Sequence, residues 1–495
     1  MNEKTLESEK KKDSKLLKDE NNHDLEVSKS KNNKLEKWFK FSDLNTILKK
    51  EIVGGISTFL AMVYILSVEP DMLSQAKGID GTPSMSAGGV FLATVLISFL
   101  TTALMGIFAN LPIGMSPSMG VNAMFTFTIS NNSNIGYQGA LIATCLSSIL
   151  FFIFSLTKIR KIIIESIPHS LNLAIGSGIG CFIAYVGISS MGWVSHSGGV
   201  PVASLSNLKD TYVGIIIGMV VFSLILIFHT LKIPGAIAIA IAIGLILSLI
   251  IANTAYQNNA VSTYIGSSKW KGWSYSDFSG LWTNLKNIYS EIGNKKIWSS
   301  PTLYISSLVF ILLIFFDATG TITSLNRNIT HFANLPERNL PKTALIIDSL
   351  SSVLGSTVGL SHMTAYVESN VGIAAGARTG VAAIVIAIFF GLAVILYPLF
   401  SLIPPCVTAG ATLFVGSLMF LQIKNIEWAK PEITISTFVL LIFMIVTYDI
   451  TNGIAVGIIT YTVVACAAKK IKEISPILWI LNVVFIIYFV AFAFL

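Results

Sequence analysis

Charged side chains are scarce in this chain. Asp, Glu, Lys and Arg together make up 12% of its 495 residues, about half the share of an average soluble domain. With 53% hydrophobic residues and a mean hydropathy of +0.73, that scarcity excludes a soluble globular protein. Cysteine is sparse too. Cys145, Cys181, Cys406 and Cys466 all fall within apolar segments and have no metal-site spacing, so they read as small core residues and no metal is expected. No HExxH, GxSxG or paired-aspartate protease motif occurs, which argues against an intramembrane enzyme. The short alternating segments of a membrane β-barrel are missing as well.

Long apolar runs are what the chain does have. They recur at about 20 residues, enough to cross a hydrocarbon layer of ~30 Å as helices. The expectation is an all-α polytopic membrane protein. Segments lie near 52–72, 87–108, 112–129, 138–157, 168–190, 211–231 and 234–253. After a polar stretch, a second set lies near 302–324, 342–358, 359–374, 379–398, 405–421, 432–449 and 452–468. A last run, 476–495, stands outside the pairing. Two sets of seven predict fourteen transmembrane segments, and because seven is odd the second set enters with opposite orientation. Such an inverted repeat is the common plan of secondary transporters.

Residues 1–37 differ sharply: they are dense in Lys, Glu, Asp and Asn and contain no aromatics. They lack the apolar core of a signal peptide and read as a disordered cytoplasmic tail. The next stretch, 38–51, reads as amphipathic and interfacial. The net charge of +7 does not point to nucleic acid, because the basic residues sit in the tail and in short loops. Clusters at Lys158, Arg160 and Lys161, at Arg327, Arg338 and Lys342, at Lys424 and Lys430, and at Lys469, Lys470 and Lys472 all fall inside if the N-terminus is cytoplasmic. The 254–300 stretch falls outside, with Trp270, Trp273, Trp282 and Trp298 and an amphipathic helix in DFSGLWTNLKNIY.

Two segments are irregular. Pro112, Gly114, Pro117 and Gly120 interrupt the third; Gly355, Gly359 and Gly372 interrupt the second span of the later half and its continuation, the tenth. Backbone groups unpaired by such breaks are tolerated only against protein or a hydrated cavity, where half-helix ends can face a solute. The alternative is a packing motif of small residues. Ionisable residues favour the first reading. Asp317 lies in the eighth segment, Glu368 in the tenth, and Asn122 in the third. Thr319 neighbours the aspartate; Thr364, Tyr366 and Ser369 neighbour the glutamate. A carboxylate at a helix centre costs about 2.5–3.5 kcal/mol on insertion scales. A helix cap or a basic partner could account for either one, but no basic residue lies well inside a span and Arg378 falls near an inner end.

Two acidic groups without a cation should not both ionise readily, and so can exchange protons during a cycle. Carboxylates accept N–H donors, and an amide such as Asn122 donates and accepts. The solute that matches is small, flat and neutral, with several ring N–H groups. Other polar residues read as secondary: Glu69 and Asp71 as solvated at the outer end of the first span, Asp348 as a rival to Asp317, Asp449 as a turn residue, His362 as a satisfied structural histidine, and Glu165 as part of an interfacial turn with His169.

At these residues the chain resembles a known family. KEIVGGISTFLAMVYILSVEP (50–70), SMGVNAMF (118–125), IPHSLNLAIGSGIGCFIAYVGI (167–188), FFDATGTI (315–322) and TAYVESNVGIAAGARTG (364–380) are similar to motifs of the AzgA-like hypoxanthine/guanine/adenine permeases, a branch of the xanthine–uracil permease superfamily. The likeness covers roughly residues 45–470. It implies a uracil-transporter-like fold with a core and a gate domain, short strands in broken spans three and ten, and proton-coupled import at the plasma membrane. Its binding Asn, Asp and Glu fall on Asn122, Asp317 and Glu368. The full expected site is Asn122, Asp317, Glu368, Gly120, Thr319, Thr364, Tyr366 and Ser369, with Glu368 and Asp317 also carrying the proton.

The implied organisation is core at 52–157 and 301–398, gate at 158–253 and 399–470, and a terminal apolar segment at 471–495. The partners implied are a purine nucleobase and the lipid bilayer, with a homodimer left open, and no cofactor beyond a proton gradient. The chain departs from the family pattern at Val121, Met124, Ala377 and the run Leu360-Ser361-His362-Met363, which bears on the choice among purines. The alternatives are an anion or sulfate carrier on the same fold, or a permease for xanthine or uracil.

Overall fold

A computed structural model of the chain describes residues 38–79, 81, 85–131, 135–157, 168–197, 200–203, 208–231, 233, 235–254, 275–333, 336 and 340–494. The tail 1–37, most of the polar stretch before 275, and the turn containing Glu165, Lys158, Arg160 and Lys161 lie outside the described residues, as does Arg338.

The described chain is mostly helical. In the first half run α1 (Leu48–Met62), α2 (Ile65–Leu73), α3 (Ala87–Leu104), strand β1 (Met115–Pro117), α4 (Met119–Ala123), α5 (Gly136–Leu156) and α6 (His169–Met191). A hairpin follows, β2 (Val194–Ser197) with β3 (Val200–Ala203), and then α7 (Leu208–Thr230) and α8 (Ala236–Thr254). The amphipathic helix α9 (Tyr275–Glu291) leads to α10 (Pro301–Phe332), α11 (Lys342–Thr357), strand β4 (Met363–Ala365) and α12 (Ser369–Ala374). The last helices are α13 (Gly380–Ala393), α14 (Pro405–Phe420), α15 (Pro431–Val446), α16 (Ile450–Ala467) and α17 (Pro476–Phe494). Helix starts follow local chemistry. Pro301, Pro405 and Pro431 open the first turns of α10, α14 and α15, where a missing N–H costs nothing. Asp449 caps α16 by accepting from the Thr451 and Asn452 amides at 2.7 and 3.3 Å, the turn role expected of it.

Eight helical runs among the described residues are long and apolar enough to cross a membrane, and four shorter apolar helices accompany them. Every apolar segment of the sequence holds an element, but 112–129 and 359–374 are not continuous helices. Pro112, Gly114 and Pro117 stop the third segment from entering a helix until Met119; Met124–Ser130 then widens into π-helical turns, a geometry frequent at functional sites. α10 is longer than its apolar run suggested. Its 32 residues span about 48 Å, because the polar turn at Arg327 and Asn328 continues the helix.

The helices pack in two groups. α1 and α3 lie against α13, α12 crosses α1, and α10 and α11 pack on α5. Separately, α6 packs closely along α14, α7 lies between α14 and α8, and α15 pairs with α16 and α6. Close crossings use glycine: a Cβ at Gly54 would stand 2.5 Å from the Ala377 Cβ and 2.8 Å from the Gly372 carbonyl. The 38–51 stretch is not one amphipathic helix. Only a short turn, Ser42–Leu44, precedes Asn45, whose φ is 51°. The Asn45 amide donates to the Ala333 carbonyl at 3.1 Å and the Thr46 hydroxyl to the Gly376 carbonyl at 3.0 Å, so this segment is tied to the body rather than free to coil.

Candidate functional site

The two irregular segments meet. β1 pairs antiparallel with β4, with Met115 opposite Ala365, Ser116 opposite Thr364 and Pro117 opposite Met363. A strand pair this short inside a helical body needs further fastening, and it has it. The Tyr366 amide donates to the Gly114 carbonyl at 3.0 Å and the Ser118 amide to the His362 carbonyl at 2.8 Å. The Gly114 amide donates to the Ser369 hydroxyl at 3.1 Å, the Tyr366 hydroxyl donates to the Pro117 carbonyl, and Ser98 meets Ser116 at 3.0 Å. The half-helices α4 and α12 thereby leave opposite ends of the strand pair, and both pack against α10.

Asp317 stands inside α10, far from either end, so it is not a helix cap. The Ser118 hydroxyl donates to its Oδ2 at 2.8 Å. Glu368 occupies the residue before α12 but makes no capping bond; its Oε1 instead accepts from the Tyr64 hydroxyl of the first span at 2.9 Å. The helix that Glu368 precedes, α12, packs against α10, which carries Asp317. No basic partner is recorded for either carboxylate among the described residues.

A cavity of about 600 Å³ opens in front of Asp317. Ser118, Gly120, Val121, Asp317 and Val367 line its head, and α6 and α14 supply the facing wall through Asn172, Ile179 and Met419. It extends past Thr321 and Ser324 to Arg327 and Asn328, with Gln422 and Asn425 opposite. From Asp317 to Asn328 is about 16 Å along the helix. The cavity thus lies between the two packing groups.

The other expected residues are placed as follows. Gly120 lines the cavity, and a Cβ there would meet the Ile179 Cγ2 at 2.7 Å. Asn122 is fully buried directly after Gly120 and Val121; its amide nitrogen donates to Glu69 and its carbonyl accepts from Ser361. Thr364 is buried with no hydrogen-bond partner for its hydroxyl. Tyr366 and Ser369 fasten β1, and the side chain of Thr319 lies outside the described residues. Asp348 is buried in α11 and is not part of the cavity lining. His362 is the structural histidine anticipated, held at 2.8 Å on each ring nitrogen by Ser147 and Ser148.

Two expectations need correction. Glu69 is not solvated: it is fully buried, because the first span continues to Leu73 beneath neighbouring elements. Asp71, two residues on, is half-buried and accepts from the Thr408 hydroxyl of α14 at 3.1 Å. Ser118, Tyr64 and Glu69 were missed as functional partners. Each was visible as a polar residue in an otherwise apolar run, but only the fold shows what it faces.

Comparison with known proteins fits this geometry. The chain matches the Permease family (Xan_ur_permease) over residues 49–456. It is 35% identical to the guanine/hypoxanthine permease PbuG of Bacillus subtilis strain 168, spanning 92% of this chain and 99% of the relative. It is 30% identical to the adenine permease AdeP of Escherichia coli K12, spanning 91% and 96%. Its fold is similar to the transmembrane domain of the cyanobacterial bicarbonate transporter BicA, with a TM-score of 0.59 at 15% identity, over 83% of this chain and 98% of that one. The resemblance drawn from five motifs is borne out: the chain belongs to the xanthine/uracil Permease family and is a multi-pass membrane transporter, not an enzyme.

Proposed function

We propose that the chain imports purine nucleobases (hypoxanthine, guanine or adenine) with protons across the plasma membrane. The observation that carries this reading is the Asp317 carboxylate, held by Ser118 at the head of a cavity where two broken segments cross. A neutral heterocycle offers N–H donors to Asp317 and Glu368, and the backbone at Gly120 admits a flat ring. Asn122 retains one N–H and one carbonyl lone pair after its bonds to Glu69 and Ser361. Thr364 offers an uncommitted hydroxyl, while Tyr366 and Ser369 support the crossing. Curated relatives named as guanine/hypoxanthine and adenine permeases support the substrate class.

The transport cycle in this reading is alternating access. Fourteen crossings form a seven-plus-seven inverted repeat with a cytoplasmic N-terminus. The body containing α1–α5 and α10–α13 is the core; that containing α6–α8 and α14–α16 is the gate. Movement of one against the other re-aims the cavity, and proton exchange at Glu368 and Asp317 couples the two directions. A second copy of the chain is the one protein partner this reading allows.

An anion carrier is the second reading, favoured by the fold shared with BicA. It fits the site less well: a carboxylate, Glu368, stands at the start of α12, where an anion would otherwise meet free amides. Uptake of radiolabelled hypoxanthine by cells expressing the chain decides between them. Adenine or guanine should compete, whereas sulfate, bicarbonate and uracil should not. Competition by sulfate, or no uptake of any purine, would overturn the proposal. Collapse of the proton gradient by a protonophore should stop accumulation above the external concentration.

A further inference from the structure

The cavity in front of Asp317 reaches no farther along α6 than Ile179. Its far end, at exposed His169, Arg327, Gln422 and Asn425, opens on the side of the basic loops. Phe182 and Tyr185 follow Ile179 within two turns of α6. Their ring centroids lie 5.3 and 5.5 Å from that of Tyr448, in the turn between α15 and α16. From the opposite side Phe127, in the π-helical turns of the third segment, meets the same ring at 5.8 Å. Past these rings lies a second hollow of only about 10 Å³, with Asp71, Phe127, Val186 and Thr412 in its wall. That is about the least space that holds one water molecule. Asp71 bonds Thr408 across the same seam.

Tyr448 also holds an unusual backbone position. It is the second residue past α15 and has a φ of 53°. That left-handed place after a helix is normally filled by glycine or asparagine, because a bulky side chain there is strained. Strain of this kind points to function when a contact accounts for it, and here the contact is the ring cluster. Phe182 and Tyr185 belong to the gate body and travel with Tyr448. Phe127 belongs to the core body, so its contact with Tyr448 is the one that breaks if the bodies part. We propose that Tyr448, backed by Phe182 and Tyr185 and seated on Phe127, is the outer gate of the solute path. It is an aromatic plug that seals the cavity from outside while the inner end stands open. This inference rests on the alternating-access reading above, with its orientation, but not on the identity of the solute. Stacked rings suit a moving seal, since their apolar faces exclude water and no ion pair has to be broken in each cycle.

The test reads access from outside and needs no solute. In a chain whose four native cysteines are replaced, Thr412→Cys puts a thiol in the small outer hollow, where Thr412 is buried. A membrane-impermeant maleimide added to intact cells should label it slowly. Adding Tyr448→Ala should speed labelling about 2- to 12-fold, the weight of one aromatic pair, because the outward-open population rises. Phe127→Ala should do the same from the core side, and Tyr448→Phe, which keeps the ring, should hold the parent rate. An unchanged rate in either alanine variant overturns the gate. Thr144→Cys, buried in α5 where it packs on α10 and α11, is the reference. It should stay unlabelled in every background; labelling there in the alanine variants would show general loosening and overturn the gate as well. Faster labelling at position 412 alone, in a chain that takes up no purine, would support the gate and remove only the proposed substrate.

Discussion

Among the described residues, Asp317 and Glu368 are each held by one hydroxyl and by nothing positively charged, which leaves each able to accept more donors. Replacing either by its amide, Asp317→Asn or Glu368→Gln, removes a charge-assisted hydrogen bond. Such bonds contribute about 1.5–3 kcal/mol, or about 10- to 150-fold in affinity. Uptake assays should show purine transport lost in both variants, with surface expression unchanged; normal uptake by either would remove that residue from the site. Ser118→Ala should act more gently, since it frees a carboxylate oxygen but leaves the acid in place. A rise in KM of about 2- to 12-fold corresponds to one ordinary hydrogen bond, and an unchanged KM would mean that Ser118 does not orient Asp317. At this scale the sequence was legible where a polar residue broke an apolar run with no alternative use. It was misleading at Glu69, where nearness to a predicted span end suggested water. Distance along the chain does not report what packs overhead: Glu69 and Asp71 differ by two residues, yet one faces Asn122 and the other faces Thr408.

Among the elements, the breaks at β1 and β4 were the least regular features and the most readable ones. Pro112, Pro117 and Gly114 forbid a continuous helix, and the family resemblance implied a short strand at each break; that the two strands pair was not anticipated. The register was not legible, because three-residue strands carry no alternating pattern to set it. It is set instead by side-chain clasps such as Ser369 to Gly114 and Tyr366 to Pro117. The helix crossings depend on small residues in the same way. Gly54→Leu should overpack the contact with Gly372 and Ala377 and cost about 1–3 kcal/mol, seen as a lowered melting temperature in detergent. Gly120→Val should abolish uptake, because its Cβ would already stand 2.7 Å from the Ile179 Cγ2 and the side chain would have to displace that wall at the cavity head. A Gly120→Val protein that transports normally would place the solute path elsewhere.

For the whole molecule, the cavity before Asp317 lies between two groups of helices, and the Asp71–Thr408 hydrogen bond joins those same groups at another place. If core and gate move against each other, that bond exists in one state of the cycle and breaks in the other. Cysteines at positions 71 and 408, in a chain whose four native cysteines are replaced, should be joined by a short reducible bifunctional thiol reagent. Uptake should stop on joining and return on reduction; uptake that continues while joined would show that these groups do not separate. The grouping itself was only implied in the sequence by likeness to a family. Hydropathy reports which residues meet lipid or protein, but not which helix packs on which, and so α6 against α14 could not be read from either segment alone.

The size of the hollow has a further consequence. At 600 Å³ it has room for about twenty water molecules at liquid density, far more space than one bicyclic base fills. Selection must then rest on the few polar atoms at its head, while the long wall toward Asn328 imposes little steric demand. Synthetic base analogues carrying bulky substituents away from the hydrogen-bonding edge should therefore compete with the natural base for this hollow.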